Sequence, residues 1–390
     1  MPKILHTADW QIGRQYTRFE PHDAAHLAEA RFQVVEKLAA LAKAEAVDAV
    51  VVAGDVFDAQ TVSERSIRRL FNALQGFAGP WVMIPGNHDA ALADSVWTLA
   101  ARLGLWSASP GGPVHLMLQP GVVELPAARI ALLCAPLTQR HTYIDLTEWF
   151  DEAVTPAGWL RIGVAHGAVQ GVLAADIDSA NPIATDRAAT ARLDYLALGD
   201  WHGSKRIDAR TWYSGTPEPD RFKSNEAGQA LLVQFNQPGE EPVVQSRPTA
   251  QYQWRQQSLS LTVPSDVDAL LMQLQACRPH DVLDLSLSGS LALADHQRVQ
   301  QALQAAQAKV RCLRSDLSGL QMAPTPEDIA ALQADGYLGE VIADLVSASQ
   351  ANVSQVSTTE QAQRAQDALV ILSTLLTQRA SQHATGRTPA

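Results

Sequence analysis

The sequence predicts a layered α/β sandwich followed by a small α/β cap and a helical C-terminal tail. Short apolar runs alternate with helix-period segments up to about residue 250, polar residues crowd the ends of those runs, and the texture changes sharply beyond that point. With 390 residues, 46% of them hydrophobic, the chain exceeds the roughly 250 to 300 residues that a single core supports. Two or three domains are therefore expected.

The first strand is KILHTA at 3–8, and AVVVAG (49–54), WVMIPG (81–86), RIALLCAP (129–136), RIGVAHG (161–167) and YLALG (195–199) follow it. Each ends at a glycine, a proline or a polar loop. Between the first two, Leu27, Val34, Val35, Leu38 and Leu41 recur at helical spacing, which predicts an amphipathic helix over 23–46. QALLVQF and EPVVQS complete the sheet and close a first domain at 1–250.

A second domain is expected at 251–322. SLSLTV and DLSLSG alternate in the manner of strands, Ser265 opens a helix as its cap, a Gln- and Ala-rich helix covers 295–308, and KVRCLRSDL adds a strand. This βαβαβ pattern is small and reads as a cap. From 323 to 390 the chain becomes a helical tail: Thr325 and Pro326 mark a helix start, and Leu338, Val341, Ile342 and Leu345 form one apolar stripe. A second stripe comprises Leu369, Leu372, Leu375 and Leu376. These helices serve either their own domain or a partner.

Composition narrows the function. Thirty Lys and Arg against forty-one Asp and Glu give a net charge of -11, which argues against a broad electrostatic grip on nucleic acid but not a local one. Lys205, Arg206, Arg210, Arg221 and Lys223 form such a local cluster, either a solvated face or a phosphate contact. Cys134, Cys277 and Cys312 lie far apart and suggest neither disulfides nor a thiolate site. No export signal or membrane-spanning run is read, so a cytoplasmic location is expected.

Five polar clusters follow five apolar runs: Asp9-Trp10-Gln11, Gly54-Asp55-Val56-Phe57-Asp58, Gly86-Asn87-His88-Asp89, His166-Gly167 and Gly199-Asp200-Trp201-His202-Gly203. Singly, an Asp or His at a strand end is usually a turn or cap residue. Together, on one sheet edge, they offer carboxylate, amide and imidazole donors without thiolate, the set that suits hard or borderline divalent cations. Two such ions about 3.5 to 4 Å apart need a shared ligand, and a carboxylate such as Asp55 can bridge them.

In these motifs the chain resembles the calcineurin-like metallophosphoesterases, whose pattern runs D-x-H, GDxxD, GNHD, H and GHxH. The contexts HTADWQIGRQY, AGDVFD, PGNHD, LDYLALGDWHG and YSGTPEPDRF resemble in particular the nuclease subunits of SbcCD-type DNA-repair complexes. The resemblance implies the layered metallophosphoesterase sandwich and two divalent ions, most readily Mn²⁺ with Mg²⁺ as the alternative. It assigns Asp9, Gln11, Asp55 and His202 to one ion, and Asp55, Asn87, His166 and Asp200 to the other. It makes His88 the group that contacts the phosphate and protonates the leaving oxygen, with Asp89 orienting its ring. The expected activity is a phosphodiesterase acting on DNA, as an exonuclease or endonuclease subunit. The expected partners are DNA, a second copy of the chain and an SMC-like coiled-coil ATPase, with no membrane. Hydrolysis of a small phosphoester and a weakly active structural subunit are the alternatives.

Two positions depart from the pattern. Gln11 and Asp200 stand where the family has histidine, so one imidazole is lost at each ion and the anionic ligands rise from two to three. A more neutralised site polarises its water less and favours oxygen-loving ions over Zn²⁺. Of the remaining residues, His6 is expected in the core or behind the ligands, His22 and His26 on an exposed helix face, and Trp10 and Trp201 walling the site. Arg221 is expected to contact phosphate or to pair near Asp220.

Overall fold

The structure, a computed structural model, describes residues 1–106, 112–172, 180–322, 337–349, 364–365, 367–369 and 371–372. The chain divides into two compact units, Met1–Gln253 and Trp254–Ala390.

The first unit opens with strands β1 (Lys3–Thr7), β2 (Ala49–Ala53), β3 (Trp81–Ile84) and β4 (Val114–Leu116), separated by helices α1 (Pro21–Ala44), α2 (Glu64–Leu74) and α3 (Val96–Arg102). These strands are mutually parallel. Strands β5 (Gly121–Leu125), β6 (Ile130–Ala135) and β7 (Leu160–His166) come next, then the short β8 (Ala168–Val169) and β9 (Pro182–Ile183) and helix α4 (Arg187–Thr190). Strands β10 (Tyr195–Gly199), β11 (Lys205–Arg206), β12 (Thr211–Tyr213), β13 (Gln229–Gln234) and β14 (Val243–Pro248) finish the unit. They build two six-stranded sheets, ordered β14-β13-β1-β2-β3-β4 and β11-β12-β10-β7-β6-β5.

Residue alternation in the strands explains the layering. In β2, Val50 and Val52 join the cluster that holds Val35, Leu38 and Ala42 of α1, whereas Ala49, Val51 and Ala53 pack with Leu132, Ile162 and Tyr195 of the other sheet. Successive side chains of a strand point to opposite faces, so a strand that is apolar at every position is one covered on both sides. The outer face of the second sheet packs Leu133, Ala165 and Leu196 against Phe150, Ala188 and Leu193. The order is thus helices, sheet, sheet and a further covering layer.

Helix α1 begins two residues before the expected 23, because Pro21 supplies a first helical residue with φ already set. Its inward face carries Leu27, Ala30, Val34, Val35, Leu38 and Ala42, and also the buried Arg31. Arg31 donates to the Tyr16 hydroxyl at 2.9 Å and the Thr216 hydroxyl at 2.8 Å, which joins the loop after β1 to the segment before β13.

In the second unit, β15 (Gln253–Leu261), α5 (Pro264–Gln275), β16 (Asp281–Leu291), α6 (Leu293–Lys309) and β17 (Cys312–Met322) form a three-stranded sheet ordered β15-β16-β17 with two helices. Leu261, Leu285 and Leu287 of the strands pack with Val267, Leu270, Leu274, Val299 and Leu303 of the helices. Ser265 is not the cap of α5. Pro264 takes the first helical position, and Asp266 Oδ2 accepts the backbone N–H groups of Thr262 and Val263 at 2.9 and 3.0 Å, so the carboxylate closes this terminus. Helix α7 (Tyr337–Ser349) buries Ile342 and exposes Tyr337. The expected helix start at Thr325 and Pro326 lies outside the described residues, as do Leu375 and Leu376. Among the described residues no helix is long and apolar enough to cross a membrane.

Leu38 is fully buried between α1 and the first sheet, whereas Val243 is 47% exposed at its edge. Leu38→Ala is expected to lower unfolding free energy in urea by about 2 to 5 kcal/mol, while Val243→Ala changes it by less than about 0.5 kcal/mol.

Candidate active site

Strands β1, β2 and β3 are parallel, as are β7 and β10, so each group ends on one edge of its sheet. The two edges meet. The His166 imidazole at the end of β7 sets Nδ1 2.8 Å from the Ala53 carbonyl at the end of β2, and the Asp200 backbone N–H donates to Asp9 Oδ1 at 3.1 Å. Gly199 and Gly54 permit this approach: a Cβ on Gly199 would stand 2.0 Å from the Ala53 carbonyl oxygen, and one on Gly54 would stand 2.3 Å from His166 Nδ1.

Asp55 lies at the centre of the cluster. Its Oδ1 accepts the His88 backbone N–H at 2.9 Å, and its Oδ2 accepts Gln11 Nε2 at 2.7 Å. Asp9, Gln11, Asp55 and Asp200 all have positive φ, between 52° and 97°. Left-handed backbone at a non-glycine residue costs about 1 to 3 kcal/mol and persists only where the surroundings fix it.

The His166 ring shows what this cluster is suited to hold. With Nδ1–H donated to the Ala53 carbonyl, Nε2 faces three oxygens: Asn87 Oδ1 at 3.2 Å, Asp55 Oδ1 at 3.5 Å and Asp200 Oδ1 at 3.8 Å. Four acceptors pointing at one another require a positive charge between them. A proton can provide it: burial alone would lower the imidazole, yet Asp55, Asp200 and Asp9 raise it to about 9. A divalent cation can provide it too. Asp9, Asp55 and His166 each offer a ligand atom within 4.8 Å of the others. Asp9 Oδ2 and Gln11 Oε1 are moreover buried without a hydrogen-bond partner, an arrangement costly for polar atoms unless an ion takes their lone pairs.

The carboxylates carry the same signature. Burial and the neighbouring Asp55 push Asp9 up to about 6, against the pull of His202 and His166. Burial raises Asp200 as well. Anions held close together away from water favour any cation that enters.

His202 stands at the margin, with Nδ1 3.1 Å from Asp220 Oδ2. Asp220 would be raised by burial, but His202 and Arg221 hold it well below the usual carboxylate range. Arg221 pairs with Asp220 itself, Nε to Oδ1 at 3.0 Å.

Two expectations need correction. Asp89 does not orient the His88 ring: its Oδ1 accepts the Gly86 N–H at 2.7 Å and its Oδ2 accepts those of Val56 and Phe57 at 2.9 and 3.1 Å. It ties the loop after β3 to the loop after β2, and burial together with Asp55 pushes it up to about 7. The ring is held instead by the Asp58 carbonyl, 2.8 Å from His88 Nδ1. Trp10 does not wall the site; it is fully buried, edge-on to Trp81 in the core beneath α1. Trp201 is partly buried, with the Lys223 ammonium 4.4 Å from its ring centre.

His6 is buried, with Nδ1 2.9 Å from the Tyr195 hydroxyl, and His22 and His26 stack edge-to-face on α1. Arg14, Asp58 and Asp220 gained no role from the sequence. Their only signals were Asp58 as the second acid of GDVFD, and Arg14 and Asp220 as members of HTADWQIGRQY and YSGTPEPDRF.

Residues 2–190 match the family model described as calcineurin-like phosphoesterase. Among curated proteins, the chain is similar to an SbcCD nuclease subunit of Bacillus subtilis, 28% identical over 275 residues that cover 61% of this chain and 67% of that protein. The corresponding subunit of Rhodobacter capsulatus is 32% identical over 257 residues, 56% of this chain and 62% of that protein. The DNA double-strand break repair protein Mre11 of Aeropyrum pernix is 28% identical over 264 residues, 63% and 60% of the two chains. The aligned part of the chain thus spans about two thirds or less of the length of these relatives. The matched residues 2–190 run from β1 to α4 and include Asp9, Asp55, Asn87 and His166, so this part of the chain is similar to calcineurin-like phosphoesterases.

Proposed function

We propose that this chain is a two-metal phosphodiesterase acting on DNA, a nuclease subunit that works with Mn²⁺. The observation that carries the reading is the set of buried oxygens without hydrogen-bond partners, Asp9 Oδ2 and Gln11 Oε1, beside a ring nitrogen that faces three more. Divalent cations held there would supply Lewis acidity at a phosphate and lower the pKa of a water. Asp9, Gln11, Asp55 and His202 would hold one, and Asp55, Asn87, His166 and Asp200 the other.

The protein's own groups do the rest. His88 anchors Nδ1–H on the Asp58 carbonyl, which turns Nε2 inward, 4.0 Å from Asp55 Oδ2. In the protonated ring, Nε2–H is then the proton available to the departing oxygen. Asp89 keeps His88 in place indirectly, by fixing the turn that presents it. Three anionic ligands and two neutral amide oxygens, of Gln11 and Asn87, support oxygen-preferring Mn²⁺ or Mg²⁺ over Zn²⁺.

DNA as the substrate rests on similarity to nuclease subunits and to a double-strand break repair protein. Lys205 and Lys223, whose ammonium groups lie 5.7 and 4.4 Å from the ring centre of Trp201 and which form no ion pair among the described residues, support it. A second copy of the chain and an SMC-like ATPase, with the helical tail as anchor, belong to the same proposal. Domain limits of 1–250, 251–322 and 323–390 are proposed as catalytic domain, cap and partner-binding tail.

Purified protein with Mn²⁺ is expected to degrade linear DNA and to lose that activity in His88→Ala. Cleavage of an aryl phosphodiester or a cyclic nucleotide with DNA left intact would reassign the substrate to a small phosphoester. Loading the site should also expel the His166 proton. Because that pKa is raised to about 9, Mn²⁺ affinity is expected to rise by up to about tenfold per pH unit between pH 7 and 9. Calorimetry in buffers of different ionisation enthalpy checks this; an affinity independent of pH would contradict it.

A further inference from the structure

His88 and His202 lie on separate loops, and one side chain connects the residues that hold them. Arg14 follows β1 beyond Gly13, whose φ of 94° turns the chain back toward the site. Its guanidinium reaches two carboxylates at once: Nη1 pairs with Asp58 Oδ1 at 3.0 Å and Nη2 with Asp220 Oδ2 at 3.3 Å. Each of these acids holds a histidine. The Asp58 carbonyl lies 2.8 Å from His88 Nδ1, and Asp220 Oδ2 lies 3.1 Å from His202 Nδ1. The result is a continuous chain of contacts, His88 to Asp58 to Arg14 to Asp220 to His202.

We propose that Arg14 is a positioning residue for both histidines, bracing Asp58 and Asp220 together so that His88 and His202 each donate Nδ1–H outward and present Nε2 to the reaction. This rests on the roles given above to the two rings, and not on DNA being the substrate. An imidazole whose Nδ1–H is donated to an oxygen has its tautomer and ring plane fixed, which leaves Nε2 free for a cation or for proton transfer. The position suits arginine, because a planar fork presents two donors in fixed geometry while a lysine ammonium is a single point charge. The pair with Asp220 is sheltered as well, since that carboxylate side chain is 1% exposed.

Arg221 bears on the same assignment. Its Nη2 lies 2.9 Å from Asp220 Oδ2 and 2.9 Å from His202 Nδ1. A guanidinium offers only N–H groups, so its contacts with His202 Nδ1 at 2.9 Å and Nε2 at 3.4 Å would require a ring nitrogen to accept, whereas the proposal assigns Asp220 Oδ2 as the acceptor of both the Arg221 and the His202 N–H groups. Were Arg221 to donate to Nδ1 instead, the ring proton would sit on Nε2 and His202 could not bind a cation.

Nitrogen NMR of histidine-labelled, metal-free protein at alkaline pH reads the tautomers without any substitution. Nδ1–H is expected at both His88 and His202; Nε2–H at either overturns the proposal. Arg14→Met, which keeps length without charge, is then expected to weaken Mn²⁺ binding and to lower kcat at saturating Mn²⁺. Each should fall about 3- to 10-fold, near or below the low end for losing an orienting partner. KM should stay unchanged, and Arg14→Lys should restore one of the two effects. Wild-type Mn²⁺ affinity and kcat, with only a lower melting temperature, would make Arg14 a structural brace and overturn the proposal. In Arg14→Met, a loss confined to one of the two measures would overturn the joint role. If linear DNA is not cleaved at all, kcat is taken on an aryl phosphodiester, so failure of the substrate assignment remains distinct from failure of the tautomer and metal tests.

Discussion

The Asp55 carboxylate is 1% exposed, yet each of its oxygens has a donor: the His88 backbone N–H on one and the Gln11 amide on the other. Burying an anion costs several kcal/mol unless it is paired and hydrogen-bonded, and here the loops after β1, β2 and β3 must all close for that to happen. Their closure sets the rest. Gly86 must lack a Cβ because one would stand 2.3 Å from Asp55 Oδ1, and Asp55 itself must adopt a φ of 53° to turn inward. Strain of this kind is sustained by the two sheets behind it, whose central strands are buried on both faces. The rigid part of the molecule therefore supports a site that is locally unfavourable, which is where binding energy for a cation is stored.

Replacement of histidine by Gln11 and Asp200 becomes intelligible in this setting. A glutamine amide divides its labour: Nε2 satisfies Asp55, and Oε1 remains buried and unpartnered beside Asp9. A neutral imidazole has one donor and one acceptor as well, so the exchange preserves the pattern while substituting a harder atom. Asp200 adds a charge that His166 feels directly, with Nε2 and Oδ1 3.8 Å apart. Under the proposed assignment, the site would thus shift toward oxygen ligands without losing its convergence.

Much of this was legible in the sequence because it depends on local pattern. The continuous apolarity of AVVVA announces a strand covered on both sides, and the polar residues after each run mark the edge where parallel strands end. What escaped depends on distance along the chain. Arg14 meets Asp58 across 44 residues and Asp220 across 206, and no spacing in a single sequence encodes such contacts. Asp89 differs for another reason: its role at the His88 ring came from resemblance to the family's GNHD motif, whereas this carboxylate takes three backbone N–H groups instead. Trp10 escaped as well, because the left-handed backbone on either side of it, at Asp9 and Gln11, leaves its ring in the core. Ser265 lost its capping role to Asp266 because Pro264 had already fixed the first helical residue.

The account depends on cations filling the space among Asp9, Gln11, Asp55, Asn87, His166 and Asp200. Anomalous diffraction from crystals grown with Mn²⁺ tests it most directly. Two peaks are predicted, both bound by Asp55, with Gln11 Oε1 on one and His166 Nε2 on the other. No peak within reach of Asp55, or ions bound only at the surface acids, would contradict it.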